Sequence, residues 1–364
     1  MEKPTRLVVT GRNEAGRSVV VSDSEPSFVE TADGSECAEL WSLPVGPIHP
    51  ESGRVPSPGD IGHEPLPGAS AWRVVRLFPR AAAVEAVQQR DDPGARVDHD
   101  RVGLHRNETL DWITILSGEV DLVLDRETLR LRPGDCLVQC GAAHAWRVVG
   151  EQDCVLGVLM LRPTSASRGG PKQADPIRQG SDQGVGPRRV VTKQDAQGRS
   201  FVAQDGEPPN VLRLKYGTGM AYSDIWQTLG PVGSTDAGGD TPAGPFEFYA
   251  VGGGAAWKHM VIPPDAALAG VNAERLAAEY AERAPGMAEG GDHDPDRPGR
   301  HRTESIDLVQ ILSGHITLML DEGEVDLAPG DFVVQRGTWH AWSNRGEEPC
   351  IFQAMMIATR PLPA

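Results

Sequence analysis

The chain has 364 residues, 39% of them hydrophobic, with 42 glycines and 30 prolines. That length predicts two domains, and the glycine and proline content excludes long helical bundles in favour of a turn-rich β fold. A formal net charge of −16 excludes a general nucleic-acid binder, which needs a basic footprint, and fits a soluble protein.

The N-terminus, MEKPTRLVV, lacks the apolar core of a secretory signal, and no apolar run is long enough to span a bilayer. Cys37, Cys136, Cys140, Cys154 and Cys350 show no paired or CxxC spacing, which predicts reduced thiols in a cytoplasmic protein. The first predicted element is an arm over 6–26, carrying Arg6-Leu-Val-Val-Thr10 and Gly16-Arg17-Ser18. It returns over 188–208 as Arg188-Arg-Val-Val-Thr192 and Gly198-Arg199-Ser200. Trp41 and Trp72 pair in the same way with Trp226 and Trp257.

The strongest repeat follows. His105 to Trp146 aligns without a gap on His301 to Trp342, and half of the positions are identical. Val120, Leu122 and Leu124 alternate with Glu119, Asp121 and Val123, and Ile316, Leu318 and Leu320 repeat the period of two, so these segments are strands. Asp125-Arg126-Glu127 and Asp321-Glu322-Gly323 are hairpin turns, and Pro133-Gly134-Asp135 and Pro329-Gly330-Asp331 are tight turns. The stretch 163–187 is polar, rich in glycine and proline, and reads as a linker. One helix is predicted where Asn272 caps a segment with Leu276 and Tyr280, ended by Pro285-Gly286. The predicted organisation is a domain over 1–162, a linker over 163–187 and a second domain over 188–364, related by duplication.

The duplicated segment resembles the cupin superfamily, whose first motif is G-x5-H-x-H-x3/4-E-x6-G and whose second is roughly G-x5-P-x-G-x2-H-x3-N. His105-x-Asn107-x3-Asp111-x6-Gly118 and His301-x-Thr303-x3-Asp307-x6-Gly314 follow the first. Gly134…Gly141-x2-His144 and Gly330…Gly337-x2-His340 follow the second, one residue shorter, with Cys140 or Arg336 where proline is usual. The resemblance implies an all-β fold of two tandem double-stranded β-helix (jelly-roll) barrels with a few short helices. It also implies an intramolecular pseudo-dimer, open to further homo-oligomerisation, in which each arm adds a strand to the other domain and covers an open edge.

The departures define the expected site. A typical cupin holds its metal with three histidines and a glutamate; here Asn107 or Thr303 replaces the second histidine and Asp111 or Asp307 the glutamate. Positions 105, 107, 111 and 113 share parity, and by resemblance His144 points into the same cavity. Each barrel therefore offers two histidines and one carboxylate, His105/Asp111/His144 and His301/Asp307/His340. That is the ligand set of a facial triad, which suits Fe(II) first and leaves Zn, Mn and Ni open. The alternative is a metal-free cluster serving as a general base or ligand pocket. Asn107, Thr303, Trp146 and Trp342 are expected as pocket walls, and Trp112 and Trp339, unrepeated, as residues that shape one pocket differently. Arg106, Arg302, Glu108 and Glu304 are expected outside the lumen, and Asp292-His293-Asp294 in a solvated loop able to lid the second barrel. The function expected is an enzyme acting on a small organic acid or an aromatic or polyketide-like molecule, by oxygenation, decarboxylation, dehydration or isomerisation. The alternative is a non-catalytic ligand-binding module; neither nucleic acid nor membrane is expected as a partner.

Overall fold

The structure, a computed structural model, describes residues 5–31, 33–79, 103–164, 186–216, 219–228, 230, 246–250, 252–289, 291–297 and 299–359. The predicted linker lies outside them except at its ends. In chain order the strands of the first half are β1 (Arg6–Arg12), β2 (Ser18–Ser24), β3 (Val29–Glu30), β4 (Glu36–Leu43), β5 (Ser70–Leu77), β6 (Leu110–Ser117), β7 (Glu119–Val123), β8 (Thr128–Leu131), β9 (Cys136–Cys140), β10 (Ala145–Val149) and β11 (Cys154–Leu161). The second half continues with β12 (Arg189–Gln194), β13 (Ser200–Gly206), β14 (Asn210–Arg213), β15 (Ala221–Gln227), β16 (Ala255–Ile262), β17 (Gly291–His293), β18 (His301–Thr303), β19 (Ser305–Ser313), β20 (Ile316–Met319), β21 (Glu324–Leu327), β22 (Asp331–Arg336), β23 (Ala341–Ser343) and β24 (Cys350–Ala358).

Each half is a barrel of two sheets. Eight strands in the order β13-β12-β9-β6-β11-β5-β4-β3 belong with the three strands β10-β7-β8. Their counterparts are β14-β15-β16-β24-β19-β22-β1-β2 and β21-β20-β23. Alternation places Ile113, Ile115, Val120, Leu122, Leu124 and Leu131 in the core inside the first barrel. The opposite face of the same large sheet is also covered, because the two halves pack against each other through Trp72, Trp112 and Val138 on one side and Trp257, Leu308 and Phe332 on the other. Trp112 stacks on Trp257 at 5.8 Å with the planes 13° apart, and Trp72 meets Phe332 edge-on at 5.4 Å. Burial on both faces explains the nearly unbroken apolar run of β6. It also corrects the expectation for Trp112, which belongs to the core between the halves and not to a pocket.

The arms are exchanged. β1 runs parallel to β22 of the second barrel, from Arg6 opposite Asp331 to Val9 opposite Val334. β12 runs parallel to β9 of the first, from Arg189 opposite Cys136 to Thr192 opposite Gln139. Each arm thus covers an edge that would otherwise present unpaired backbone groups. Reciprocal hydrogen bonds clamp each arm onto the hairpin turn of the other half. Ser18 N donates to Asp321 Oδ2 at 2.9 Å while Asp321 N donates to Ser18 Oγ at 2.7 Å, and Ser200 and Asp125 repeat the pair at 2.8 Å in both directions.

Helices are few and short. The predicted one spans Ala273–Arg283, where Asn272 Oδ1 accepts from Arg275 N at 2.9 Å as the N-cap, and Leu276 and Tyr280 pack against the second barrel's core. All five cysteines are buried and unpaired as disulfides. Among the described residues no helix is long and apolar enough to cross a membrane.

Candidate functional site

The two histidines of each barrel are brought together by the backbone. His105 and His144 form an isolated antiparallel bridge, each N–H donating to the other's carbonyl at 2.9 Å. His301 and His340 do the same. In both barrels the ring centroids stand 4.4 Å apart with the planes 53° to each other. The turn before the second histidine needs the left-handed backbone of Gly141 (φ 58°) and Gly337 (φ 56°).

Every ring is tied down through Nδ1. His105 bonds to Gly103 O at 2.7 Å, His144 to Ala142 O at 2.9 Å, His301 to Gly299 O at 3.0 Å and His340 to Thr338 O at 2.9 Å. A carbonyl only accepts, so Nδ1 carries the proton and Nε2 of the neutral ring is bare. Burial, reinforced by the neighbouring His105, pulls His144 down to about 3, and burial with His301 does the same to His340. Both are therefore neutral at physiological pH.

The two motif carboxylates have different hydrogen-bond partners. Asp111 is buried and accepts from Asn107 Nδ2 at 3.3 Å through Oδ2, and the Thr109 hydroxyl, placed where Ser305 stands in the other copy, also favours its charged form; among the described residues Asp111 Oδ1 and Asn107 Oδ1 make no well-formed hydrogen bond. Asp307 is satisfied on both oxygens, by Thr303 Oγ1 at 3.2 Å and Ser305 Oγ at 2.5 Å. Burial pushes both carboxyls up to about 6. Buried acceptors without a well-formed hydrogen bond call for a cation, a water or a ligand donor, and among the described residues Asn107 Oδ1 and Asp111 Oδ1 are such atoms. Trp146 and Trp342 stand edge-on to His144 and His340 at 5.7 and 5.8 Å, as pocket walls. Asn107 also matches a glycosylation sequon, but its burial removes it as an acceptor.

Other residues at these mouths lie outside the repeat. His63 meets His105 edge-on at 5.6 Å, and His293 stacks on His301 at 6.0 Å. Glu64 adds a negative charge that helps to raise Asp111, and Tyr249 is held above its ordinary range by burial and by Asp307. A buried ion pair pins each of these loops. Arg73, paired with Glu39 at 2.7 Å, donates to His63 O at 2.8 Å, and Lys258, paired with Asp224 at 2.9 Å, donates to Glu247 O at 2.5 Å. The only sequence signal for His63 and His293 is the residue type itself. The expected loop at Asp292-His293-Asp294 is in fact the edge of a small hairpin, β17 on β18, with His293 opposite His301.

Arg106 and Glu108 lie outside the first pair as expected, whereas Arg302 and Glu304, expected outside the lumen, line a cavity beside the second barrel. Arg106 donates to Gly198 O of the second arm at 3.0 Å, and Arg302 pairs with Asp292 at 2.5 Å while covering Trp339. Glu108 pairs with Arg162 at 2.7 Å. A cavity of about 800 Å³ lies beside the second barrel, lined among others by Arg12, Pro50, Tyr249, Thr303 and Ser305, so both halves shape it.

The donor set fits a borderline divalent cation, because neutral imidazoles with bare Nε2 atoms and a half-satisfied carboxylate are its preferred ligands. Among the described residues, however, no three His, Cys, Asp or Glu side chains are gathered as a ready-made cage. The preformed part is the imidazole pair.

The Cupin domain family matches residues 90–161 and 287–357. The chain carries two cupin domains. Two curated fungal relatives from Diaporthe leptostromiformis, Phomopsin biosynthesis cluster proteins C' and D, are each 56% identical over 54 residues, 14% of this chain. The chain spans 29% of the length of these relatives. Among solved structures, AerE from Microcystis aeruginosa is similar with a TM-score of 0.38 at 11% identity, over 91% of this chain and 96% of its own. A putative glyoxylate-induced protein from Pseudomonas aeruginosa gives 0.41 at 10% identity, over 93% and 85%. Lactobacillus farciminis oxalate decarboxylase, in a formate complex, gives 0.38 at 10% identity, over 92% and 84%.

Proposed function

We propose that this two-cupin protein is an enzyme acting on a small organic molecule, and that the first barrel is the better equipped of its two sites. The observation that carries this reading is the repeated anchoring of both imidazoles through Nδ1, which leaves Nε2 of each neutral ring unprotonated in a pair of rings 4.4 Å apart. Orienting a ligating histidine through its other nitrogen is what metal sites require. His105, His144 and Asp111 would hold a divalent cation, Fe(II) being the first expectation and Zn, Mn and Ni the others, with His301, His340 and Asp307 as the second set. When bound, such an ion supplies Lewis acidity or a redox couple. The chain's own residues do the rest. Trp146 walls the pocket, Asn107 holds the Asp111 carboxyl in place, and the open Asp111 Oδ1 accepts a proton or a hydroxyl of the substrate.

Oxygenation, decarboxylation, dehydration and isomerisation all use such a centre. The likeness to proteins named for a biosynthesis cluster supports a small organic substrate. The absence of a gathered cage among the described residues favours one second reading, in which the His/Asp pair serves without metal as general base, the Asp111 carboxyl, raised to about 6, being the stronger base. Elemental analysis separates the two. The metal reading expects a stoichiometric transition metal in the purified protein, lost in His105→Ala/His301→Ala. Metal-free wild type that is nonetheless stabilised against heat by a small acid supports the second.

A further inference from the structure

In both barrels the carbonyl that anchors the second histidine is itself held by a buried glutamine. Gln139 Nε2 donates to Ala142 O at 2.8 Å, the oxygen that accepts from His144 Nδ1. Gln335 Nε2 donates to Thr338 O at 3.1 Å, the oxygen that accepts from His340 Nδ1. The carbonyl, which only accepts, takes the NH2 end of the amide, so the buried Oε1 at the other end needs a donating group of its own. That group comes from the other half of the chain. Thr192 of the second arm donates to Gln139 Oε1, and Thr10 of the first arm donates to Gln335 Oε1 at 2.8 Å. Each threonine directly follows a bulge in its arm, between Val191 and Thr192 and between Val9 and Thr10, a device that re-aims a side chain. Thr10, Thr192, Gln139 and Gln335 are all wholly buried, and all four are identical across the duplication.

We propose that Thr192–Gln139 and Thr10–Gln335 are positioning relays through which each arm sets the tautomer and ring angle of the second histidine in the opposite barrel. The proposal rests on the reading that His144 and His340 present Nε2 to a ligand. It adds that neither half holds a complete site by itself. Without the hydroxyl, the glutamine is left with a buried Oε1 that has lost its donor, and the amide is free to leave its place beneath the Ala142 or Thr338 oxygen. The carbonyl shifts and the histidine loses its fixed Nδ1–H bond.

The test is a two-bond 1H–15N spectrum of 15N-histidine-labelled full-length protein, which reports tautomers without any ligand or turnover. Wild type is expected to show His144 and His340 protonated at Nδ1 alone. Thr192→Val is expected to shift His144 towards a mixed tautomer and leave His340 unchanged, Thr10→Val to do the reverse, and Thr192→Ser to restore the wild-type pattern. Gln139→Met provides the same reading should Thr192→Val not fold. An unchanged His144 in either variant, equal changes in both histidines, or failure of both variants to fold would overturn the relay. Intact relays in a protein that binds no ligand would instead count against the function proposed above, so the two failures are distinguishable.

Discussion

Asp111 carries the sharpest consequence at the scale of single residues. Its carboxyl is raised from 3.8 to about 6 by burial, so the neutral acid is the form the fold prefers. Stability from this group is fully present below the unfolded value and is lost as the pH rises through about 6, by up to about 3 kcal/mol. In chelator-treated protein, Asp111→Asn is therefore expected to raise Tm by a few degrees at about pH 8, with the gain vanishing below about pH 4. Differential scanning calorimetry across that range checks the sign; a variant less stable than wild type at alkaline pH contradicts it. His144 and His340 act in the opposite sense. Their depressed values make stability fall as the pH drops below the unfolded histidine range. The meeting of His105 with His144 and of His301 with His340 was implied by the resemblance of the two motifs, and strand parity put Asp111 and Asp307 on the face of the first histidine. His63, Glu64 and Tyr249 were not, since they come from segments that do not repeat. Thr10, Thr192, Gln139 and Gln335 left a readable trace, polar identity across the two copies directly after the shared valines Val9/Val191 and Val138/Val334.

Among elements, the arms matter most. β1 and β12 each occupy an edge beside the strand that leads into the Gly-x2-His turn, and Gln194 and Arg12 cap the carbonyls of Gly141 and Gly337 at 2.6 and 3.1 Å. A chain ending at residue 164 keeps its own arm but loses β12, so the edge of β9 is bare. It is expected to form a dimer in which two copies exchange β1 and β2; a well-folded monomer by light scattering contradicts this. The repeated Arg-x-Val-Val-Thr segments made the arms visible in the sequence, whereas the β17 hairpin was hidden because three-residue strands have too few positions for a period to register.

In the whole molecule, the two large sheets share one core, and its polar centre breaks the symmetry of the duplication. Gln310 Nε2 donates to Thr114 Oγ1 at 2.7 Å and to Gln353 Oε1 at 2.8 Å, in space left open by Gly157, where an added Cβ would lie 2.4 Å from Gln310 Oε1. Gly157→Ala is expected to destabilise the protein by about 1–3 kcal/mol by prising the halves apart at this point, read as a lower denaturation midpoint. Thr114 corresponds to Gln310 and Gly157 to Gln353 in the two copies. The sequence displays these differences, but only the packed interface shows that one copy fills what the other leaves open. The asymmetry reaches the sites too, with Asn107 and Thr109 about Asp111 in one barrel and Thr303 and Ser305 hydrogen-bonded to the two oxygens of Asp307 in the other. The most direct measurement is a titration of chelator-treated protein with Co2+, followed by its visible absorption. The account predicts a saturable imidazole-type spectrum whose tightest step survives His301→Ala and disappears in His105→Ala. No binding, or a spectrum untouched by His105→Ala, contradicts it.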